Sequence, residues 1–257
     1  MSPLSNVAAG PGTTAGASYL GGTGKRAPAT RLGTLVVHDL VAAIVTGEVK
    51  PGELLPPETV LSEHFGVSRT VVRESVKRLE EKGMVTVAQG RGTAITPSAE
   101  WNILDRVVIS TLIENDASLG ILDELAVVRS ALEAVMAGAV AGTHTDADVE
   151  SLRAALTRMH DVALDNDEFA AADIDFHARI MEISGQRLAQ GISRTLVQRA
   201  RDNARFYGAP GPEAPRLTLE EHARVLDAIA AGDADAASQA MREHITLAWE
   251  RRRITEA

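Results

Sequence analysis

Apolar residues near the start of the chain recur at helical spacing. Between residues 31 and 46 they fall at Leu32, Leu35, Val36, Leu40, Ala43 and Ile44. Gly47 and the turn Lys-Pro-Gly-Glu then end this first helix. Pro57 suits the first turn of a second helix, which is predicted to run to about residue 65 with Val60, Leu61 and Phe65 inward.

The stretch FGVSRTVVRESVKRLEEK, residues 65–82, predicts a turn followed by a third helix. Gly66 ends the preceding helix, and Ser68 occupies the position of an N-cap. One face of the new helix is apolar and consists of Val72, Val76 and Leu79. Another face carries three cations spaced four residues apart, Arg69, Arg73 and Lys77. By itself this pattern fits an ordinary amphipathic surface helix as well as one that binds DNA.

A β-hairpin is predicted directly after Gly83, which ends the third helix. Apolar and β-branched residues indicate two short strands, at Val85, Thr86, Val87, Thr93, Ile95 and Thr96. Between the strands lies Gln89-Gly90-Arg91-Gly92, a glycine-rich tip with one cation. Three helices followed by such a hairpin predict a winged helix-turn-helix.

The segment GEVKPGELLPPETVLSEHFGVSRTVVRESVKRLEEKGMVTVAQGRGTAI resembles the DNA-binding domain of GntR-family bacterial transcription regulators. It contains their G-x-x-x-P-G-x-x-L-P turn, the motif G-V-S-R-T-x-V-R-E and a glycine-rich wing. The resemblance implies that operator DNA is contacted by Ser68, Arg69, Thr70, Arg73, Gln89, Gly90 and Arg91. An Arg can bond a guanine edge with two hydrogen bonds, and Ser and Thr fix the register on phosphates. Lys77 is interpreted as a solvated charge, and the family's additional basic contact falls here on Thr59.

After residue 97 the pattern is helical throughout. Seven helices are predicted near 99–114, 121–141, 146–165, 167–184, 187–207, 216–231 and 234–252. Together they predict an antiparallel all-α bundle. The one long break, residues 208–215, is interpreted as a mobile loop over a pocket.

Composition divides the chain into three parts. Residues 1–29 are poor in large apolar side chains and are predicted to be a disordered tail. Residues 30–97 are assigned to the DNA-binding domain and 98–257 to a ligand-binding and dimerisation domain. The net charge is −9, yet residues 25–96 carry 10 Lys and Arg against 8 Asp and Glu. DNA contact is therefore expected only in the N-terminal domain, because the acidic remainder repels DNA.

Location follows from what the sequence lacks. There is no cysteine, which excludes disulfides and thiolate metal sites. No run is expected to approach the length of a membrane span, and the N-terminus lacks the basic start and apolar core of a secretion signal. A cytoplasmic protein with no membrane partner is expected.

Four ionisable residues lie at positions that the helical pattern assigns to the bundle. Asp173 and His177 are one turn apart, and His222 and His244 lie on the last two helices beside apolar residues. One carboxylate and three imidazoles are suitable ligands for a divalent ion such as zinc, nickel, manganese or iron. For each residue alone, a packed and hydrogen-bonded side chain is the simpler interpretation.

Residues of about 120–250 resemble the FCD effector domain of the FadR subfamily of GntR regulators. The resemblance implies a divalent metal, with zinc as the first choice, bound by Asp173, His177, His222 and His244. It also implies that Arg129 binds the carboxylate of an effector, which would be a sugar acid or 2-hydroxy acid. The alternative for Arg129 is an ion pair with Glu124 or Glu133, and two further effector candidates are Arg201 and Arg205.

These observations predict a homodimeric transcription regulator, a repressor on a palindromic operator, and not an enzyme. Two alternatives remain at this point. In one, the regulator's metal is purely structural. In the other, the chain is a metal-dependent enzyme acting on hydroxy acids, for which Glu220 and Glu221 would be the candidate bases.

Overall fold

The computed structural model describes residues 27–88, 90–208 and 211–253. Its N-terminal elements are α1 (Ala27–Val45), α2 (Glu58–Phe65), α3 (Arg69–Glu81), β1 (Val85–Ala88) and β2 (Gly92–Ile95). The two strands are antiparallel, with Val85 opposite Ile95. This is the winged helix-turn-helix that the sequence predicts.

Ser68 caps the N-terminus of helix α3, as predicted. The Ser68 hydroxyl accepts a hydrogen bond from the Val71 N–H, which satisfies one of the free donors of the first turn. Val72, Val76 and Leu79 are buried as predicted and pack against α1.

One inward assignment in the second helix is wrong, because Val60 is 49% exposed. In the first helix, Leu32 and Leu35 follow the helical spacing but are 44% and 58% exposed. The buried side of α1 is made instead by Val36, Val37, Leu40, Val41 and Ile44, and in α2 the inward position belongs to Leu61. Helix α1 also begins at Ala27, so the predicted disorder is wrong for residues 27–29. Residues 1–26 lie outside the described part of the chain.

Seven α-helices follow the wing in the described residues, as predicted. They are α4 (Arg106–Asn115), α5 (Gly120–Thr143), α6 (Asp146–Asp161), α7 (Asn166–Ile183), α8 (Arg187–Arg201), α9 (Ala214–Ala230) and α10 (Ala234–Arg252). Helix α4 begins later than predicted because Asp105 caps it, accepting hydrogen bonds from two backbone N–H groups. The predicted break at 208–215 begins and ends earlier, because α8 ends at Arg201 and α9 begins at Ala214, with a short 3-10 turn at Ala204–Phe206 between them. Residues 209 and 210 lie outside the described residues.

Helix α5 corrects one expectation. By length and composition it could cross a membrane, with a mean hydropathy of 1.5, although no such run was expected. Half of that apolar stretch is buried inside the bundle, where α5 packs against α10. Arg129 and Glu133 form a buried ion pair on the same helix. These contacts are those of a central helix in a helical bundle.

Helix α4 packs between two apolar cores. Val108 belongs to the core of the winged helix, whereas Ile109 and Ile113 belong to a core formed with α5, α8 and α10. At the N-terminal end of α4, the cap residue Asp105 also forms an ion pair with Lys82, the residue that caps the C-terminus of α3. Lys82 Nζ lies 2.6 Å from Asp105 Oδ2. One short helix thus contacts both halves of the protein.

Candidate metal centre and DNA-binding surface

Three helices of the bundle bring four potential metal ligands together. Helix α7 supplies Asp173 and His177, α9 supplies His222 and α10 supplies His244, and all four side chains are buried. The Nε2 atom of His177 lies 3.2 Å from Nε2 of His222 and 3.2 Å from Nε2 of His244. Asp173 Oδ1 lies 3.6 Å from His222 Nε2 and 3.8 Å from His177 Nε2. The ligand atoms all lie within 4.8 Å of one another.

This convergence fits a cation. A neutral imidazole has one N–H, and in His177 and His244 the Nδ1 atoms face carboxylates. We assign the protons of His177 and His244 to Nδ1, so that the Nε2 lone pairs of these two residues point at one another across the centre. An ion about 2.1 Å from each nitrogen would place those nitrogens ~3 Å apart, close to the observed spacing.

A carboxylate contacts the Nδ1 atom of each of these two histidines, the ring nitrogen that does not face the other histidines. Glu133 Oε2 lies 2.6 Å from His177 Nδ1, and its Oε1 accepts hydrogen bonds from Arg129 Nε at 2.7 Å and Ser193 Oγ at 2.8 Å. On the other side, Glu221 lies 2.9 Å from His244 Nδ1 and pairs with both terminal nitrogens of Arg251, at 2.7 and 2.8 Å.

The electrostatics of the centre keep Glu133 and Glu221 charged and His222 and His244 neutral. Burial alone raises the pKa of Glu133, but the charge of Arg129 and the contact with His177 outweigh it and hold that pKa well below its usual range. Glu221 has its pKa lowered to about 2, because hydrogen bonds from His244 and Arg251 exceed the effect of burial. Burial lowers the pKa of His244 to about 4 and that of His222 well below 6.5. Neutral imidazoles are the form that binds metals.

A cavity of about 700 Å³ opens beside Asp173. Its wall includes Arg201, whose Nη2 lies 3.7 Å from Asp173 Oδ2, and Arg252, whose guanidinium lies 5.3 Å from the centre of the Phe206 ring. Burial lowers the pKa of both arginines, which still remain cations at neutral pH. The cavity thus combines a path to the Asp173 ligand with positive charge.

The predicted DNA-contacting residues form an exposed surface on the winged helix. Ser68, Arg69, Thr70 and Arg73 lie at the start of α3 and are exposed, as are Gly90 and Arg91 at the wing tip. Gly90 and Gly92 have φ of 76° and 95°, a conformation that glycine adopts without strain. Gln89 lies outside the described residues. Arg73, Arg91 and Lys77 line one groove of about 860 Å³ between α3 and the wing.

Comparison with known proteins identifies the family. Residues 32–95 match the family described as bacterial regulatory proteins, gntR family, and residues 124–247 match the FCD domain. The galactonate operon transcriptional repressor of Escherichia coli K12 is 32% identical over 209 residues, covering 80% of this chain and 90% of the repressor. This chain belongs to the GntR family. It is therefore a DNA-binding transcription regulator rather than an enzyme.

A second relative agrees with this assignment, and a solved structure agrees with the fold. The HTH-type transcriptional regulator LutR of Bacillus subtilis 168 is 30% identical over 207 residues, covering 79% of this chain and 93% of LutR. The solved structure of Lar, described as controlling the agr system of Listeria monocytogenes, matches with a TM-score of 0.53 and 17% identity, over 86% of this chain and 96% of Lar. The Lar match supports the fold alone.

Within this GntR-family regulator, the predicted effector arginines have different surroundings. Arg129 is buried and forms the ion pair with Glu133 that was its alternative interpretation; in the described part of the chain it does not line the cavity. Arg205 donates hydrogen bonds to the carbonyls of Asp116 and Ile113 at the end of α4. Of the three candidates, Arg201 alone lines the cavity.

Sequence reasoning missed several residues of the FCD site. Glu133 and Arg252 were not singled out for the centre, and Arg251 was not considered. The spacing offered one signal, because Arg251 follows His244 by seven residues and so shares its helix face. Glu221 was considered only as a base for the enzyme alternative, but its carboxylate is occupied by His244 and Arg251.

Proposed function

We propose that this GntR-family protein is a repressor whose operator binding is controlled by a small carboxylate bound at a divalent metal. The observation that carries the proposal is the convergence of three imidazole nitrogens and one carboxylate beside a cavity that also holds two arginines. The winged helix supplies the DNA-binding half of the function.

Asp173, His177, His222 and His244 would hold the metal. Their nitrogen-rich set suits zinc first, with nickel, manganese or iron as alternatives. When bound, the ion would supply positions for the oxygens of a chelating acid. Arg201 and Arg252, which both line the cavity, would bind the acid's remaining oxygens through charge-assisted hydrogen bonds.

A sugar acid or 2-hydroxy acid is the effector class that this chemistry favours. Such acids place a hydroxyl beside the carboxylate, so that both oxygens can bind one ion. A relative named as a galactonate operon repressor agrees with this class. The cavity volume of about 700 Å³ is ample for an acid of this size.

On the DNA side, Arg69 and Arg73 would read base edges in the major groove while Ser68, Thr70, Gly90 and Arg91 fix the register. We also propose, as the sequence predicts, that the domain boundary lies near residue 97 and that the protein acts in the cytoplasm, where its operator is.

The proposed assembly is a homodimer on a palindromic operator. Support comes from an apolar surface on two adjacent helices, where Val128 and Val135 of α5 and Leu188 of α8 are exposed. The same surface carries Glu124 on α5 and Arg187 on α8, both exposed. A two-fold interface uses the same surface of both copies, so that surface must be complementary to itself. Here Glu124 of one copy would meet Arg187 of the other.

Four measurements test the proposal. Elemental analysis of the purified protein should find about one metal per chain, and calorimetry with galactonate and lactate should give binding that glucose, a neutral sugar, does not. Selection from random duplexes should yield an inverted repeat, and light scattering should give a dimer that Val135→Asp with Leu188→Asp dissociates. Bound metal with no binding of any acid would support the structural-metal alternative instead.

A further inference from the structure

Two buried carboxylates behind the metal ligands have no role in the proposed function. We propose that Glu133 and Glu221 are positioning residues, which aim the Nε2 atoms of His177 and His244 at the ion, and that two arginines hold these carboxylates in place. The proposal rests on the proposed metal site but concerns different residues. It assigns Arg129 and Arg251 to the metal's support.

The pair on α9 and α10 has the more complete geometry. Glu221 is 4% exposed, and both of its oxygens are occupied by the two terminal nitrogens of Arg251. Oε2 also lies 2.9 Å from His244 Nδ1. An imidazole that donates its Nδ1–H to a fixed carboxylate has its ring orientation and its tautomer determined, which leaves Nε2 as the free ligand.

The pair on α5 and α7 repeats the arrangement with different residues. Glu133 is 1% exposed, and its Oε1 is fixed by Arg129 and by the Ser193 hydroxyl. Its Oε2 lies 2.6 Å from His177 Nδ1. Arg129, Glu133 and Ser193 come from α5 and α8, neither of which supplies a metal ligand. The support therefore ties two further helices to the centre.

The third histidine shows that this support is specific to two of the three. His177 Nδ1 and His244 Nδ1 lie 2.6 and 2.9 Å, respectively, from a carboxylate oxygen, whereas His222 Nδ1 is buried with neither a hydrogen bond nor a carboxylate contact among the described residues. Its ring packs instead on Phe176, with the ring centres 4.4 Å apart. Packing can fix a ring plane, but it does not choose which nitrogen carries the proton. A carboxylate also raises the basicity of its imidazole, so His177 and His244 should be the stronger ligands.

The test uses the full-length protein and zinc ion as the probe, in competition with a chromogenic chelator. Glu221→Gln and Glu133→Gln should each weaken zinc binding about 10- to 100-fold, the usual effect of losing such a partner. Glu220→Gln is the matched control, because Glu220 is adjacent in sequence but exposed and paired with Arg216. It should bind zinc like the wild type.

A second measurement separates positioning from general damage to the fold. Nitrogen-15 spectra of the histidine rings in the zinc-free protein should show the Nδ1–H form of His244 in the wild type and a mixture of tautomers in Glu221→Gln. Glu221→Asp, which keeps the charge, should restore part of the zinc affinity if Glu221→Gln folds poorly.

The outcomes distinguish the two proposals. Wild-type zinc affinity in Glu221→Gln or Glu133→Gln, together with loss of zinc in His244→Ala, would overturn the positioning role and leave the metal site intact. Stoichiometric zinc in a protein that lacks both His222 and His244 would overturn the site itself, and the positioning role with it.

Discussion

Glu58 of α2 and Arg73 of α3 form a two-pronged ion pair in the DNA-free protein. Arg73 Nε lies 3.1 Å from Glu58 Oε1, and Nη2 lies 3.0 Å from Oε2. The Arg73 guanidinium is the group that would bind a guanine edge. Its N–H groups cannot bind Glu58 and guanine at the same time. Because the pair is on the surface, it contributes little to folding stability. Its effect should instead be on DNA binding.

Replacing Glu58 with Gln should therefore strengthen binding to random duplex DNA about threefold, because it removes a negative charge beside the DNA surface and frees Arg73. Fluorescence anisotropy at several salt concentrations measures this. Glu63→Gln, an exposed change on the same helix, is the control. If Glu58→Gln binds random DNA more weakly than the wild type, the pair supports DNA binding by orienting Arg73 instead.

Arg129→Ala should destabilise the protein strongly. It leaves Glu133 buried without its main counter-charge, a change that typically costs 3–5 kcal/mol. Urea unfolding of the zinc-free variant measures the loss. Unchanged stability with weakened binding of a hydroxy acid would contradict the ion-pair role and favour direct contact between Arg129 and the effector.

The zinc-free protein should lose stability as the pH falls from about 7 to 5. Burial lowers the pKa of His244 to about 4 in the folded state, against 6.5 for an ordinary histidine. Between these values the unfolded chain takes up a proton that the folded protein does not bind, so the free energy of unfolding falls with pH, by ~2 kcal/mol down to pH 5. His244→Asn should show a shallower slope in urea unfolding, whereas His160→Asn, an exposed change, should keep the wild-type slope. Equal slopes in all three proteins would refute this assignment.

Arg201→Gln should weaken acid binding about tenfold while leaving zinc content unchanged. Its guanidinium lines the cavity and is not a metal ligand, so a charge-assisted hydrogen bond to the acid is what the change removes. Calorimetry with the acid that binds the wild type best gives the affinity, and elemental analysis gives the zinc. Wild-type acid affinity in the variant would place the effector away from this wall.

Arg205→Gln should reduce the effect of the acid on DNA binding without changing DNA affinity in its absence. Arg205 holds the C-terminal carbonyls of α4, and the next residue, Phe206, lines the cavity. At the other end of α4, Asp105 pairs with Lys82 at the end of α3. We expect Arg205→Gln to lose about half of the coupling free energy between acid binding and DNA binding. Arg216→Gln is the control, and full coupling in Arg205→Gln would exclude this route.

Local sequence pattern was sufficient for the winged helix. Its turn residues, the Ser68 cap and the Val72 and Leu79 positions act within one or two turns of a helix, and the structure agrees with them. The helical spacing of Asp173 and His177 likewise placed two ligands on one face. Bringing in His222 and His244 required the family resemblance, because periodicity does not say which helices meet.

Partners on different helices could not be predicted. The pairs of Glu58 with Arg73 and of Glu221 with Arg251 depend on how helices pack, and a charged residue in sequence gives no sign of which helix it faces. The predicted burial of Val60 was wrong for the same reason, because an apolar residue at roughly helical spacing lies there outside the narrower contact with the next helix.

Control of operator binding by a metal-bound acid is tested most directly by measuring operator affinity in four states. These are the wild type with and without zinc, each with and without the hydroxy acid that binds it best. We predict that the acid weakens binding to the selected operator about tenfold or more when zinc is bound, and has no effect on the zinc-free protein. Equal release of DNA by the acid in both forms, or in neither, would contradict the proposed control.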